Sequence, residues 1–139
     1  MFELHPGIES SSLALGAWPL SLVRLLPDAR FPWLVLVPQR AGVVELEELS
    51  REDRAELIEE AVRAGRVVRA IGAALGRPVQ KLNVGALGNH TAQLHLHVVG
   101  RRSDDYAWPG PVWGASEAQE YEEADLALAM AAARAAMAA

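Results

Sequence analysis

Short apolar runs dominate the first forty positions, and a helical stripe follows them. Residues 13–18 (LALGAW) read as a strand broken by Pro19, and 20–26 (LSLVRLL) as a second. Pro27-Asp28-Ala29-Arg30 supplies a turn, because proline and aspartate both favour one. Residues 33–37 (WLVLV) form a continuous apolar run between Pro32 and Pro38, the mark of a buried strand. Ile58, Ala61, Val62, Gly65, Val68, Ile71 and Leu75 then recur at helical spacing. Ser50 with Asp53 resembles a capping box at the start of that helix, and Gly76 with Arg77-Pro78 stops it. A helical turn around Leu46 to Leu49 precedes it.

Residues 79–86 (VQKLNVGA) and 92–99 (AQLHLHVV) predict two more strands, joined through Leu87-Gly88-Asn89-His90 with hairpin chemistry. The prolines and glycines of DDYAWPGPVWG, 104–114, forbid a helix there. A last helix is predicted over about 116–139, with Ser116 and Gln119 as its capping box. Three strands, a helix, two strands and a helix predict an α+β domain with a mainly antiparallel sheet.

Composition adds limits. The 139 residues suit one domain, 1–139. A formal charge of −5 argues against binding nucleic acid through phosphate neutralisation, but not against a small anionic ligand in a local pocket. Without cysteine there are no disulfides and no thiolate metal sites. MFELHPGIESSS lacks the basic start and apolar stretch of a signal peptide, so a cytoplasmic protein is expected. Asp125 and Arg134 interrupt the alanine-rich tail, which reads as a soluble helix and not as a membrane span of ~20 residues.

The chemistry concentrates in QLHLHVVG, residues 93–100. On a strand Gln93, His95, His97 and Val99 share one face, while Leu94, Leu96 and Val98 face a helix. The imidazoles then lie roughly 6.6 Å apart along the backbone. Three readings compete. The pair can be polar residues on an open face. It can supply two nitrogens to a metal, with His90 as a conceivable third ligand. Or a neutral imidazole can act as a nucleophile near pH 7. Asn83 and the small residues of Gly85-Ala86-Leu87-Gly88-Asn89 favour the last, since backbone N–H groups in such a loop can approach an anion. A tight turn is the plainer reading of that loop.

Gln93-Leu94-His95-Leu96-His97-Val98-Val99 resembles the motif of the histidine triad (HIT) superfamily, in which three histidines alternate with apolar residues. The likeness extends to Val35-Leu36-Val37-Pro38, to Asn83-Val84-Gly85 and Gly88-Asn89, and to Trp108-Pro109-Gly110. It implies a HIT-like fold with a five-stranded sheet, one long central helix and a C-terminal helix. It also implies nucleotide binding, hydrolysis or transfer at an α-phosphate, and a homodimer of sheets joined edge to edge. His95 would take the nucleophile's place and form a nucleotidyl-histidine, and His97 would sit near the non-bridging or leaving-group oxygens. Asn83, Gly88 and Asn89 would fall on the phosphate side. No cofactor, metal, nucleic-acid partner or membrane is implied.

Departures qualify the likeness. Gln93 stands for the first histidine as a third candidate catalytic residue: its amide can take over an orienting role through hydrogen bonds but cannot relay a proton. Trp33 and Ala41 fall where many members carry further histidines. Asp28 is the nearest candidate to read ribose, and equally a turn residue. Trp108 and Trp113 could cover a base, meet a partner or anchor their own loop. Arg101 and Arg102 read as a solvated strand end, and the glutamates between Glu45 and Glu60 as a solvated helix face. Two functions remain in view: a phosphoramidate or nucleotide hydrolase, or a nucleotide-binding module with little turnover.

Overall fold

A run of apolar residues can be buried on both sides only at the centre of a sheet, and the strand made from WLVLV sits there. The computed structural model describes residues 1–139. Its strands are β1 (Leu13–Ala17), β2 (Ser21–Leu25), β3 (Trp33–Pro38), β4 (Lys81–Gly85) and β5 (Leu96–Arg101). They form one antiparallel sheet in the order β1-β2-β3-β5-β4. Every residue of β3 and β5 is buried, whereas the edge strands are partly open. The α+β architecture expected from the pattern is the one observed.

The helices are α1 (Pro6–Ser11), α2 (Arg51–Ala74) and α3 (Glu123–Ala138). One face of the sheet offers Val23, Leu34, Leu36, Leu96 and Val98 to α2, and α3 packs on α2. The buried stripe of α2 is Leu57, Glu60, Ala61, Ala64, Val67, Val68 and Ile71. Ile58 and Val62, read as part of that stripe, sit one position past its edge and are exposed. The opposite sheet face carries Trp33, Val35, Val37 and Val99, covered by α1 and by the 102–114 loop. That cover is incomplete, and the gap in it makes the site. No helix is long and apolar enough to cross a membrane.

Several expected details differ. The α1 helix was not signalled: it is six residues long, with the His5 side chain accepting from Gly7 N and Pro6 opening it. Only half of the Ser50 capping box forms, since Ser50 accepts from Asp53 N while the Asp53 carboxylate pairs with Arg40. Glu60 is fully buried, not solvated, and one of its carboxylate oxygens accepts Leu20 N of the β1–β2 turn. The final helix starts at Glu123, not near Ser116. Ser116 instead accepts from Arg30, and Gln119 bonds Asp28 and Ala29 through its backbone, which ties this non-helical segment to the β2–β3 turn.

Arg101 is likewise no solvated strand end. Only 1% exposed, it forks onto Asp105 with Nε and Nη2, onto Asn83 Oδ1 with Nη1, and onto the Gly110 carbonyl. Phe31 and Trp108 lie against its guanidinium. This cation holds the proline-rich loop on the sheet. One residue earlier, a Cβ on Gly100 would stand 2.7 Å from Pro32 Cγ and Val79 Cγ2 and 2.8 Å from Val68 Cγ1.

Two stability changes follow, both read by urea unfolding. Arg101→Met strands the Asp105 carboxylate without its partner and is expected to cost about 3–5 kcal/mol. Gly100→Ala overpacks the strand–helix contact and is expected to cost about 1–3 kcal/mol.

Candidate active site

The β4–β5 connection is wider than a hairpin. Strand β4 ends at Gly85 and β5 begins at Leu96, so residues 86–95 form an open loop whose turn uses Gly88 at φ +74°. Strand β5 also starts later and runs further than the 92–99 span expected. His97 is within it, paired with Val35 of β3 and Gly85 of β4, while His95 and Gln93 precede it. The alternation nevertheless persists, with Leu94, Leu96 and Val98 in the helix-side core.

The His95 ring is set by its own backbone. Its Nδ1 lies 2.7 Å from the Gln93 carbonyl oxygen. A carbonyl only accepts, so Nδ1 carries a hydrogen, and in the neutral ring Nε2 keeps the lone pair. His97 is set the other way. Trp33 Nε1–H donates to His97 Nδ1 at 3.0 Å, which leaves Nε2 of the neutral ring as the one bearing hydrogen. The two imidazole centroids are 5.0 Å apart. Trp33 and Trp113 meet His97 edge-on at 5.7 and 5.6 Å. Burial, reinforced by the neighbouring His95, pushes the His97 imidazole down to about 4, so it is neutral at pH 7.

Both rings line a cavity of about 520 Å³, a size suited to a nucleoside-sized ligand. Leu26, Trp33, Val112 and Trp113 give it an apolar end. Gly88, Asn89, His90 and Thr91 form its opposite lip. None of the backbone N–H groups of Gly88 through Thr91, residues that line this cavity, donates a hydrogen bond within the chain. Asp28 and Arg30 form part of the wall, and they are locked together: Asp28 accepts Arg30 N and Nε on one oxygen and Nη2 on the other. On the other side of His95 lies a smaller cavity of about 80 Å³, with Val44, Leu46, Ala86, Leu87 and Leu94 in its wall and Glu45 as its acid.

The residues singled out from the sequence divide. His95, His97, Gly88 and Asn89 converge on the large cavity. Asn83 stands on the same sheet face but does not line it, and its Oδ1 is taken by Arg101. Gln93 lines only the smaller cavity, and its amide is spent elsewhere. Its Oε1 accepts His5 N and its Nε2 donates to the Glu3 carbonyl, both at 2.8 Å. It therefore pins the N-terminal segment and serves His95 through its carbonyl alone. His90 reaches the cavity, yet no three His, Asp or Glu side chains are grouped to hold a metal ion. Trp113 both anchors its loop on the sheet and walls the cavity. Trp108 lies against Arg101.

Sequence reasoning missed three contributors: the Trp33 N–H, the Arg101 clamp and the Arg30–Ser116 contact. Trp33 was legible in part, because it shares a strand face with Val35, the cross-strand neighbour of His97. The Arg30–Ser116 contact joins residues far apart in the chain and left no local signal, whereas the Arg101 clamp couples a nearby acid, Asp105, to Asn83 of β4.

Comparison with known proteins agrees with this geometry. The model of the HIT domain matches residues 8–104. A histidine triad protein of Bradyrhizobium japonicum is 36% identical, covers 96% of each chain and superposes with a TM-score of 0.88. One from Sinorhizobium meliloti 1021 is 40% identical over 95% of this chain and 94% of its own, with a TM-score of 0.83. Another from Marinobacter aquaeolei VT8 is 35% identical over 99% and 97%, at 0.86. A search of curated proteins finds no match. A pair of alternate histidines at the start of β5, the glycine–asparagine lip and matches along nearly the whole length together make this chain a member of the histidine triad family.

Proposed function

We propose that the chain is a nucleotide hydrolase or nucleotidyl transferase acting at an α-phosphate through His95. The observation that carries this reading is the pair of opposed imidazoles, one offering a bare nitrogen and the other an N–H, at the wall of a nucleoside-sized cavity. The family's general habit of binding nucleotides supports it. So do the free N–H groups of residues 88–91, which suit a phosphoryl group next to the rings.

The chemistry balances as two displacements. The Nε2 lone pair of His95 forms a bond to phosphorus as the bond to the leaving group breaks, and that group departs with its electron pair, a phosphate as its anion and an amine from the form already protonated on nitrogen by solvent. Water or another hydroxyl then attacks phosphorus and loses its proton to solvent, and the N–P bond returns its electrons to Nε2. Throughout, His97 Nε2–H donates to a phosphoryl oxygen and stabilises the charge gathering there. Asn89 and Gly88 orient the phosphate in this reading, and the apolar end around Leu26 and Val112 takes the base. Gln93 acts on His95 only from behind, and Asn83 only through Arg101.

The leaving group departs toward the smaller cavity. Glu45 lines it, Glu47 and Glu48 follow on the exposed turn Leu46–Glu48, and no lysine or arginine offsets them there. A polyphosphate would meet like charge, whereas an amine or neutral group would not. A second copy of the chain fits the free edge of β4, where Val84 is 53% exposed.

Incubation with AMP phosphoramidates and dinucleoside polyphosphates tests the reading. Turnover is expected, with His95→Ala slower by at least about 10³-fold and an acid-labile nucleotidyl adduct on wild-type His95. Amine leaving groups should exceed polyphosphates by roughly tenfold in kcat/KM at low salt, a preference that Glu45→Lys reverses. Tight AMP binding by calorimetry without turnover would select a binding module instead. Sedimentation should give a dimer that Val84→Lys converts to monomer; a wild-type monomer would remove the edge pairing.

A further inference from the structure

Trp33 stands where the likeness to histidine triad proteins leads one to expect a histidine, and it does something a histidine there need not do. An indole N–H can only donate. Placed 3.0 Å from His97 Nδ1, it demands an acceptor at that nitrogen. If Nδ1 bore a hydrogen, two N–H groups would face each other between side chains that are only 6% and 7% exposed. The indole cannot swing aside. Phe31 meets it edge-on at 6.3 Å, Trp113 crosses it at 6.3 Å and 88°, and its backbone is paired with Val99.

We propose that Trp33 is the positioning residue of this site, fixing His97 as the Nε2–H tautomer and so making it a standing hydrogen-bond donor in place of a proton carrier. The tautomer part is independent of any substrate; the donor's use on a phosphoryl oxygen rests on the function proposed above.

The surroundings bear this out physically. Around His97, β3 contributes Trp33 and Val35, β4 contributes Gly85, the covering loop contributes Trp113, and the same chain segment contributes His95. Only His95 among them titrates. Farther along the cavity stand His90, Arg30 and Asp28, the last two paired with each other. No carboxylate is free beside His97 to favour an imidazolium. Two histidines five ångströms apart are thereby held as opposite tautomers by two different backstops: a carbonyl behind His95 and an indole behind His97. The donor cannot compete with the nucleophile for a proton, and the two roles do not interchange.

Nitrogen-15 NMR of the imidazoles reads the tautomers directly, and Trp33→Phe removes the N–H while keeping an aromatic ring. In the wild type His97 is expected to remain the Nε2–H form from pH 8 to pH 5. In Trp33→Phe it is expected to show mixed tautomers and to gain its proton at higher pH. Val35→Ala loosens packing at the same ring without touching the donor and should leave the tautomer unchanged. The pH dependence of stability has a definite sign. His97 folds with its value depressed to about 4, below the ordinary ~6.5. The contribution is therefore complete above pH ~6.5 and is lost as pH falls toward 4, because the unfolded chain binds the proton first. That loss should be shallower in Trp33→Phe. In turnover, Trp33→Phe should lower kcat by about 10²-fold with KM changed less than about threefold. A wild-type His97 protonated on Nδ1, a tautomer unaltered in Trp33→Phe, or the same change in Val35→Ala would each overturn the proposal. Expected tautomers in a wild type that turns over no nucleotide would support the positioning and overturn the function proposed above instead.

Discussion

One buried guanidinium keeps the roof on this site. A charge at the Arg101 position is costly unless its donors are filled, and here Asp105, Asn83 and the Gly110 carbonyl fill them. Those three partners come from the covering loop and from β4. Satisfying the cation therefore means laying residues 102–114 across the sheet, and that brings Trp113 down against Trp33 and His97. Trp113, laid down by this closure, adds to the burial that His97 already has between β3 and β4. Burial is also the larger cause of its lost basicity. The same closure withdraws Asn83 from the cavity. A residue that faces the site by register is employed in holding its cover.

The rest of the architecture divides labour between the two faces of one sheet. On the helix side, aliphatic residues from β2, β3 and β5 pack without gaps on α2, and the small side chains Ala129 and Ala133 let α3 approach. That side carries the stability. On the other side the cover comes in pieces: a six-residue helix, the β2–β3 turn and a proline-rich loop. Pieces leave a seam, and the seam is the cavity. Its polar wall is mostly satisfied internally, because Asp28 is neutralised by Arg30 and Arg30 is tied to Ser116. What remains without a partner in the chain includes the Trp113 indole N–H and the backbone N–H groups of residues 88–91.

How much of this was legible follows from how local each cause is. The central strand was read correctly because burial on both faces requires an unbroken apolar run. The long helix was read as a helix, but its buried arc was misjudged at Ile58 and Val62, since apolar spacing alone does not say where α3 will end its cover. Ser116 and Gln119 have the local pattern of a helix start, yet distant Arg30, Asp28 and Ala29 claim both. Tertiary partners outbid a local cap. Gln93 was misplaced for the same reason: its amide partners are Glu3 and His5, nearly ninety positions away. The histidine pair and the glycine–asparagine lip were legible because one strand and its adjoining loop contain them whole.

Gln93 shows how the site tolerates its unusual motif. A side chain at the first histidine's position could matter through its ring or through its backbone. The ring's proton chemistry is gone here, and the amide that replaces it faces away to brace the N-terminal segment. The backbone contribution survives any substitution, because the carbonyl that holds His95 Nδ1 belongs to the main chain. What the position must retain is therefore a carbonyl at the right place, and bracing the segment 3–5 is a way to hold it there. With His97 likewise kept from carrying a proton, neither flank of His95 can shuttle one. A site arranged in this way suits leaving groups that bring their own proton or need none, and it assigns the two histidines their separate tasks by hydrogen-bond direction rather than by charge.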